Sequence, residues 1–176
     1  MRLLTIIFIA SLFFSCGGEQ ESNQTNNTGT DSTKVVDSLT YYQDKLNADP
    51  ENQLVLFERA QYYIRHGNIE LAETDAKTIL AKDSSFLKGH KLYADISLAK
   101  LDLETSKYHY EYILERDTLN TGAFIGMGKI YAALDNSGEA ISYLSEALKV
   151  NPYLAEPYFT KGLIYRSDYY KRAEED

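Results

Sequence analysis

The residues able to do chemistry in this chain are few and scattered. Cys16 is the only cysteine among 176 residues, so it can form neither an intramolecular disulfide nor a thiolate metal cluster. His66, His90 and His109 include no His/Glu pair at i, i+4 spacing on one helical face, and surface positions are expected for them rather than metal ligation. The glycines from Gly122 to Lys129 have the wrong spacing for a phosphate-binding loop. Ile130 stands where such a loop needs Ser or Thr, and no strand precedes it. Gly126 and Gly128 are instead expected to permit close helix packing, and Glu174, Glu175 and Asp176 read as a solvated face. Tyr63, Tyr131 and Tyr165 fall at packing places and Tyr108, Tyr110 and Tyr112 on outer helices, as core and wedge residues. No catalytic constellation emerges. The chain is expected not to be an enzyme, with no cofactor, no metal and no small-molecule substrate.

The positions of these residues must come from a packed core, and 44% hydrophobic residues can supply one. The formal charge of −8 argues against nucleic acid as a partner, because an acidic surface repels a polyphosphate backbone. Residues 1–15 carry Arg2, an apolar run from Leu3 to Phe14 and then Ser15, the pattern of a secretory signal. The run is too short to span a bilayer, which needs roughly 20 apolar residues. The segment from Phe13 to Gly18 (Phe-Phe-Ser-Cys-Gly-Gly) resembles a bacterial lipoprotein lipobox, in an aromatic variant similar to those of Bacteroidetes. That resemblance implies cleavage before Cys16, diacylation of its thiol, and a cell-envelope location. Gly17 in place of Asp favours the outer membrane, and Glu19 and Glu21 resemble acidic surface-export tags, so a periplasmic or a surface-facing position is open. The alternative is a plain secretory signal with an incidental cysteine. Residues 16–33 hold no aliphatic side chain and are expected to form a disordered tether.

Beyond residue 33 the chain repeats itself every 34 residues. Asp49, Asp83, Asp117 and Asn151 share this spacing, as do Leu46, Leu80, Leu114 and Leu148. So do Asn68, Asp102 and Asn136, the columns Ala60, Ala94, Gly128 and Ala72, Ser106, Ala140, and at three periods Pro50 and Pro152. Short polar residues at 68, 102 and 136 suit the start of a second helix, where they accept free backbone N–H groups. The Asp/Asn column suits the turn between repeats. The small residues mark where two helices cross closely, and between the columns apolar residues recur at helical spacing, as in Ile141, Leu144, Ala147 and Leu148.

These columns resemble the tetratricopeptide repeat, which implies an all-α fold: a right-handed superhelix of antiparallel helix-turn-helix pairs. The strongest match is 121–154, with Phe124, Gly128, Tyr131, Ala140, Leu144, Ala147 and Pro152 in place. Repeats at 53–86 and 87–120 precede it, a capping helix at 34–50 begins the stack, and 155–176 starts a fourth repeat. The second helix of that repeat is expected to begin near Asp168 and to stop short, so that the chain is truncated or a partner covers its end. Transferring the concave-face positions of such repeats gives Leu54, Phe57, Gln61 and Arg65; Lys88, Lys91 and Asp95; Ile125 and Lys129; and Phe159, Leu163 and Arg166, with Glu156 beside them. This mixed apolar and basic groove is expected to hold a protein or peptide partner through an acidic or C-terminal segment. The dicarboxylate clamp of chaperone-binding repeats is not reproduced, since Gly122 and Gly126 stand where basic residues belong. The expected function is a lipid-anchored envelope adaptor or scaffold. The alternative is a non-catalytic structural subunit of an envelope enzyme, secretion or uptake complex.

Overall fold

A computed structural model describes residues 38–175, and these form eight helices and no strand. The expected signal segment, Cys16, the tether and residues 34–37 lie outside the described residues. Helix α1 spans Ser38–Ala48. Three antiparallel pairs follow: α2 (Gln53–Arg65) with α3 (Ile69–Lys82), α4 (Leu87–Ala99) with α5 (Leu103–Arg116), and α6 (Thr121–Ala133) with α7 (Ser137–Val150). Helix α8 (Ala155–Glu175) closes the stack. Among the described residues no helix is long and apolar enough to cross a membrane.

The repeated polar columns act at the helix ends, in more than one way. Asp102 accepts the Thr105 N–H at 3.2 Å and Asn136 the Glu139 N–H at 3.2 Å, whereas Asn68 makes no such bond. In the turns between repeats, Asp83 accepts from the Ser85 N–H and Asn151 from the Tyr153 N–H. Asp49 and Asp117 instead accept from the side chains of Asn52 and Asn120, which themselves cap α2 and α6. Within each pair the first helix ends in a left-handed residue: Gly67, Leu101 and Asp135, with φ of 75°, 60° and 58°. After each, the next N–H reaches back to a carbonyl of the last helical turn, as from Asn68 to Tyr63 at 2.9 Å. Glycine suits this position best, yet an exposed Leu101 also adopts it, because its side chain points to solvent.

Close crossing holds each pair together. Ala60 and Ala72 have no exposed surface, and neither do Ala94 and Ser106. The Ser106 hydroxyl donates across the pair to the Ala94 carbonyl at 2.9 Å. A Cβ on Gly128 would stand 3.2 Å from the Ala140 carbonyl oxygen and 2.7 Å from Leu144, so the third pair is tighter still. Three apolar clusters run along the stack, centred on Ile79, Ile113 and Leu144. Arg59 and Asp75 join α2 to α3 by a two-point ion pair at 2.6 and 2.9 Å, with the Asp75 side chain almost fully buried.

Two expectations need correction here. Helix α8 does not break near Asp168. Continuing as one helix lets Asp168 accept from the Ser137 hydroxyl at 2.8 Å and Lys171 pair with Asp135, which ties α8 to the junction between α6 and α7. It also leaves Tyr158, Phe159, Tyr165, Tyr169 and Tyr170 more than half exposed, so Tyr165 is not a packing residue. The second correction concerns the histidines. His66 is exposed, but His90 and His109 are buried between α4 and α5, their Nδ1 atoms 2.8 Å apart.

The pair has a determined proton arrangement. His90 Nε2 lies 2.9 Å from the Ser84 carbonyl, which can only accept, so Nε2 carries a proton. With His90 neutral its Nδ1 is bare, and His109 Nδ1–H must donate to it. Tyr112 stacks on His90 at 3.7 Å and donates to the same Ser84 carbonyl, while Tyr93 and Tyr108 pack on His109. His109 resists charge. Burial, and then the charge of His90, push it down from 6.5 to about 4.

The unfolded chain therefore takes up a proton near pH 6.5 that the folded chain refuses until about pH 4. Stability is full above that window and falls as pH drops through it. Thermal melts between pH 7 and 4 should show this loss, and His109→Gln should flatten the part of it that begins near pH 6.5.

Candidate functional site

The first helices of successive repeats, α2, α4, α6 and α8, touch along one face and form two adjoining clefts. The smaller, about 210 Å³, is lined by Phe57, Gln61, Lys88, Lys91, Leu92 and Asp95. The larger, about 550 Å³, is lined by Lys91, Asp95, Leu98, Ala99, Tyr110, Gly122, Ile125, Gly126, Lys129 and Glu156. Lys91 and Asp95 belong to both. Of the twelve groove residues expected from the sequence, Phe57, Gln61, Lys88, Lys91, Asp95, Ile125 and Lys129 are brought together here. Leu54, Arg65, Phe159, Leu163 and Arg166 are exposed and line neither cleft.

Tyr110 belongs to α5, yet it reaches the groove face. Its ring occupies the space where Gly126 has no side chain, so closely that a Cβ at 126 would fall 2.1 to 2.5 Å from three ring atoms. Only 1% of Tyr110 is exposed, and its hydroxyl donates to Asp95 Oδ1. Burial, then the charge of Asp95, push the Tyr110 hydroxyl far above its ordinary value, so it remains a donor. Asp95 Oδ2 receives Lys91 Nζ at 2.7 Å. Both oxygens of this carboxylate are thereby engaged.

The cations of the larger cleft are compensated. Lys91 pairs with Asp95 and Lys129 with Glu156, while Lys88 in the smaller cleft makes no ion pair among the described residues. The groove is therefore less basic than its lysine count implies. Tyr110, Leu98 and Ala99 are cleft residues that the sequence positions do not place there, while Gly122 and Gly126, at the clamp positions, line it with bare backbone. The available signal was the pair of glycines four residues apart on one helical face. Among the described residues no group of three or more His, Cys, Asp or Glu is placed to hold a metal ion.

Helix pairs of this length, capped and crossed in this way, define a tetratricopeptide-type helical solenoid. No family model matches the chain. Human RNA polymerase II-associated protein 3 is 30% identical over 114 residues, covering 65% of this chain and 17% of that protein. The chain thus spans less than a fifth of the length of the curated relatives it matches. Among solved structures, a thermophilic TPR protein from Thermus thermophilus superposes with a TM-score of 0.66 at 20% identity, over 74% of this chain and 72% of that one. The first TPR of Spaghetti (RPAP3) bound to HSP90 peptide SRMEEVD superposes with a TM-score of 0.60 at 18% identity, over 68% and 94%. These likenesses show the fold.

The contact between Gly126 and Tyr110 can be measured directly. Gly126→Ala should destabilise the protein by about 1–3 kcal/mol, because a buried ring has nowhere to move. Gly162→Ala, with nothing within 4 Å of the added Cβ, should instead add about 0.5–1 kcal/mol by helix preference alone. Urea midpoints of the two variants at unchanged slope separate these outcomes.

Proposed function

We propose that this chain is a non-catalytic adaptor of the bacterial cell envelope, held to the outer membrane by lipid on Cys16, that binds a peptide segment of a protein partner in the groove. The observation that carries the binding role is the pair of adjoining clefts, where seven residues from three separate repeats meet on one face. The solved complex of a similar solenoid with a peptide supports the same use of the fold. Lys88, exposed and without a carboxylate partner among the described residues, is the place for an acidic or C-terminal group of the partner. The lysines of the larger cleft are already paired.

The anchor rests on the sequence around Cys16. Two or three acyl chains give effectively permanent attachment, where a single myristoyl chain is only marginal. Residues 17–33 would let the solenoid range roughly 20–25 Å from the bilayer.

Two outcomes are expected. Cys16→Ser should abolish incorporation of a labelled fatty acid and move the protein out of the membrane fraction; retention of the label would remove the anchor. A photo-crosslinker placed at Phe57 or Ile125 should give a discrete adduct in cells. Lys88→Glu should reduce that adduct about tenfold, the worth of one charge-assisted hydrogen bond, and less so in high salt. Adducts from Tyr158 on α8 but none from either groove position would favour a structural subunit docked through its end.

A further inference from the structure

We infer that the larger cleft, between α4, α6 and α8, takes a large uncharged apolar or aromatic side chain of the bound peptide. This rests on the groove reading above and specifies the chemistry of its ligand.

The floor is apolar. Gly122 and Gly126 present bare backbone, the Tyr110 ring fills the space beneath Gly126, and Leu98 and Ile125 flank it. The one hydroxyl at this floor is spent on Asp95. A volume of about 550 Å³ lies within the range of sites that enclose whole small ligands, about 300–1,000 Å³. It has room for a bulky side chain and the backbone on either side of it.

The rim offers no net charge of either sign. A carboxylate entering the cleft would meet Asp95 and Glu156, and each lysine it could reach is already neutralised by one of them. A guanidinium or ammonium would meet Lys91 and Lys129, each of which already neutralises one of the neighbouring carboxylates. An uncharged side chain breaks neither pair and removes apolar surface from water. The paired rim charges then act as a fence, and the peptide is read by shape and apolar area here and by charge only at Lys88.

Gly122 offers a way to close the cleft without disturbing the fold. A Cβ there would approach only Lys91 Cε, at 2.7 Å, the movable end of an exposed side chain, and Asn120 Oδ1 at 3.3 Å. Gly122→Leu should therefore fill the cleft at little cost in stability. Ala99→Phe, at an exposed position of α4, fills it from the other side and serves if Gly122→Leu does not fold.

The test is selection of a phage-displayed random peptide library on the purified full chain, followed by binding measurements with the enriched peptides. The expected result is a shared Phe, Tyr, Leu or Met at one place. Its replacement by Ala should weaken binding about 10- to 100-fold, and the contribution of that residue should be the same in low and high salt. Gly122→Leu or Ala99→Phe should abolish binding while the melting temperature stays unchanged. Enriched acidic peptides that need Lys91, or apolar peptides indifferent to both filling variants, would overturn the inference and leave the groove reading standing. Selected peptides blocked neither by a filling variant nor by Lys88→Glu would overturn both.

Discussion

Two helices can cross at the distance seen in these pairs only if nothing larger than a methyl or hydroxymethyl group stands between them. Ala60 against Ala72, Ala94 against Ser106, and Gly128 against Ala140 meet that condition in three successive repeats. The rest follows from it. Close crossing brings Ile79, Ile113 and Leu144 into the space between adjacent pairs, where they are fully buried. It also sets the angle at which α2, α4, α6 and α8 line up on one face. Ser106 shows how narrow the tolerance is: its hydroxyl is accommodated at full burial only because the Ala94 carbonyl accepts it at 2.9 Å.

The fold was legible because a repeat writes the same local instruction several times. The small-residue, Asp/Asn and leucine columns predicted antiparallel pairs over residues that do form them, and most of the polar column positions do hold a helix end or a turn. What was not legible depends on contacts between residues that do not share a column. His90 and His109 are 19 residues apart, and nothing in their spacing along either helix marks them as partners. Their burial is set by the packing of α4 on α5. Tyr110 does lie on an outer helix, as its position predicts, but its route to the groove exists only because Gly126 leaves space on a different repeat. The unbroken α8 belongs with these cases, since Asp168 and Lys171 find their partners at Ser137 and Asp135, at the junction between α6 and α7.

The groove was read in part. Lys91 and Asp95 are four residues apart on one helix, so their pairing was available to inspection. Lys129 and Glu156 sit on different helices and are joined only by the stacking of α8 on α6. Counting lysines along the concave positions therefore overstated the positive charge. A groove with internal pairs has a weak long-range field and a definite short-range pattern. Diffusional capture of charged partners gains little from it, and the half-exposed pairs offer little net attraction to a charge of either sign.

The residues of the close crossings and the charged residues of the groove occupy different faces of the same helices, while Leu92, Tyr110 and Ile125 serve both core and cleft. On α4, Ala94 is pressed against Ser106, while Lys91 and Asp95 project into the clefts. On α6, Gly128 is pressed against Ala140, while Gly122 and Lys129 border the larger cleft. Because each pair contacts only its neighbours, a change on the groove face does not propagate through the stack. Likeness in the crossing columns therefore carries the fold from one such protein to another and carries no ligand with it. Gly126 joins the two roles through a missing side chain. It belongs to the groove face and also admits the buried Tyr110 ring, so at this one position the shape of the binding cleft and the packing of the repeat are set by the same missing side chain.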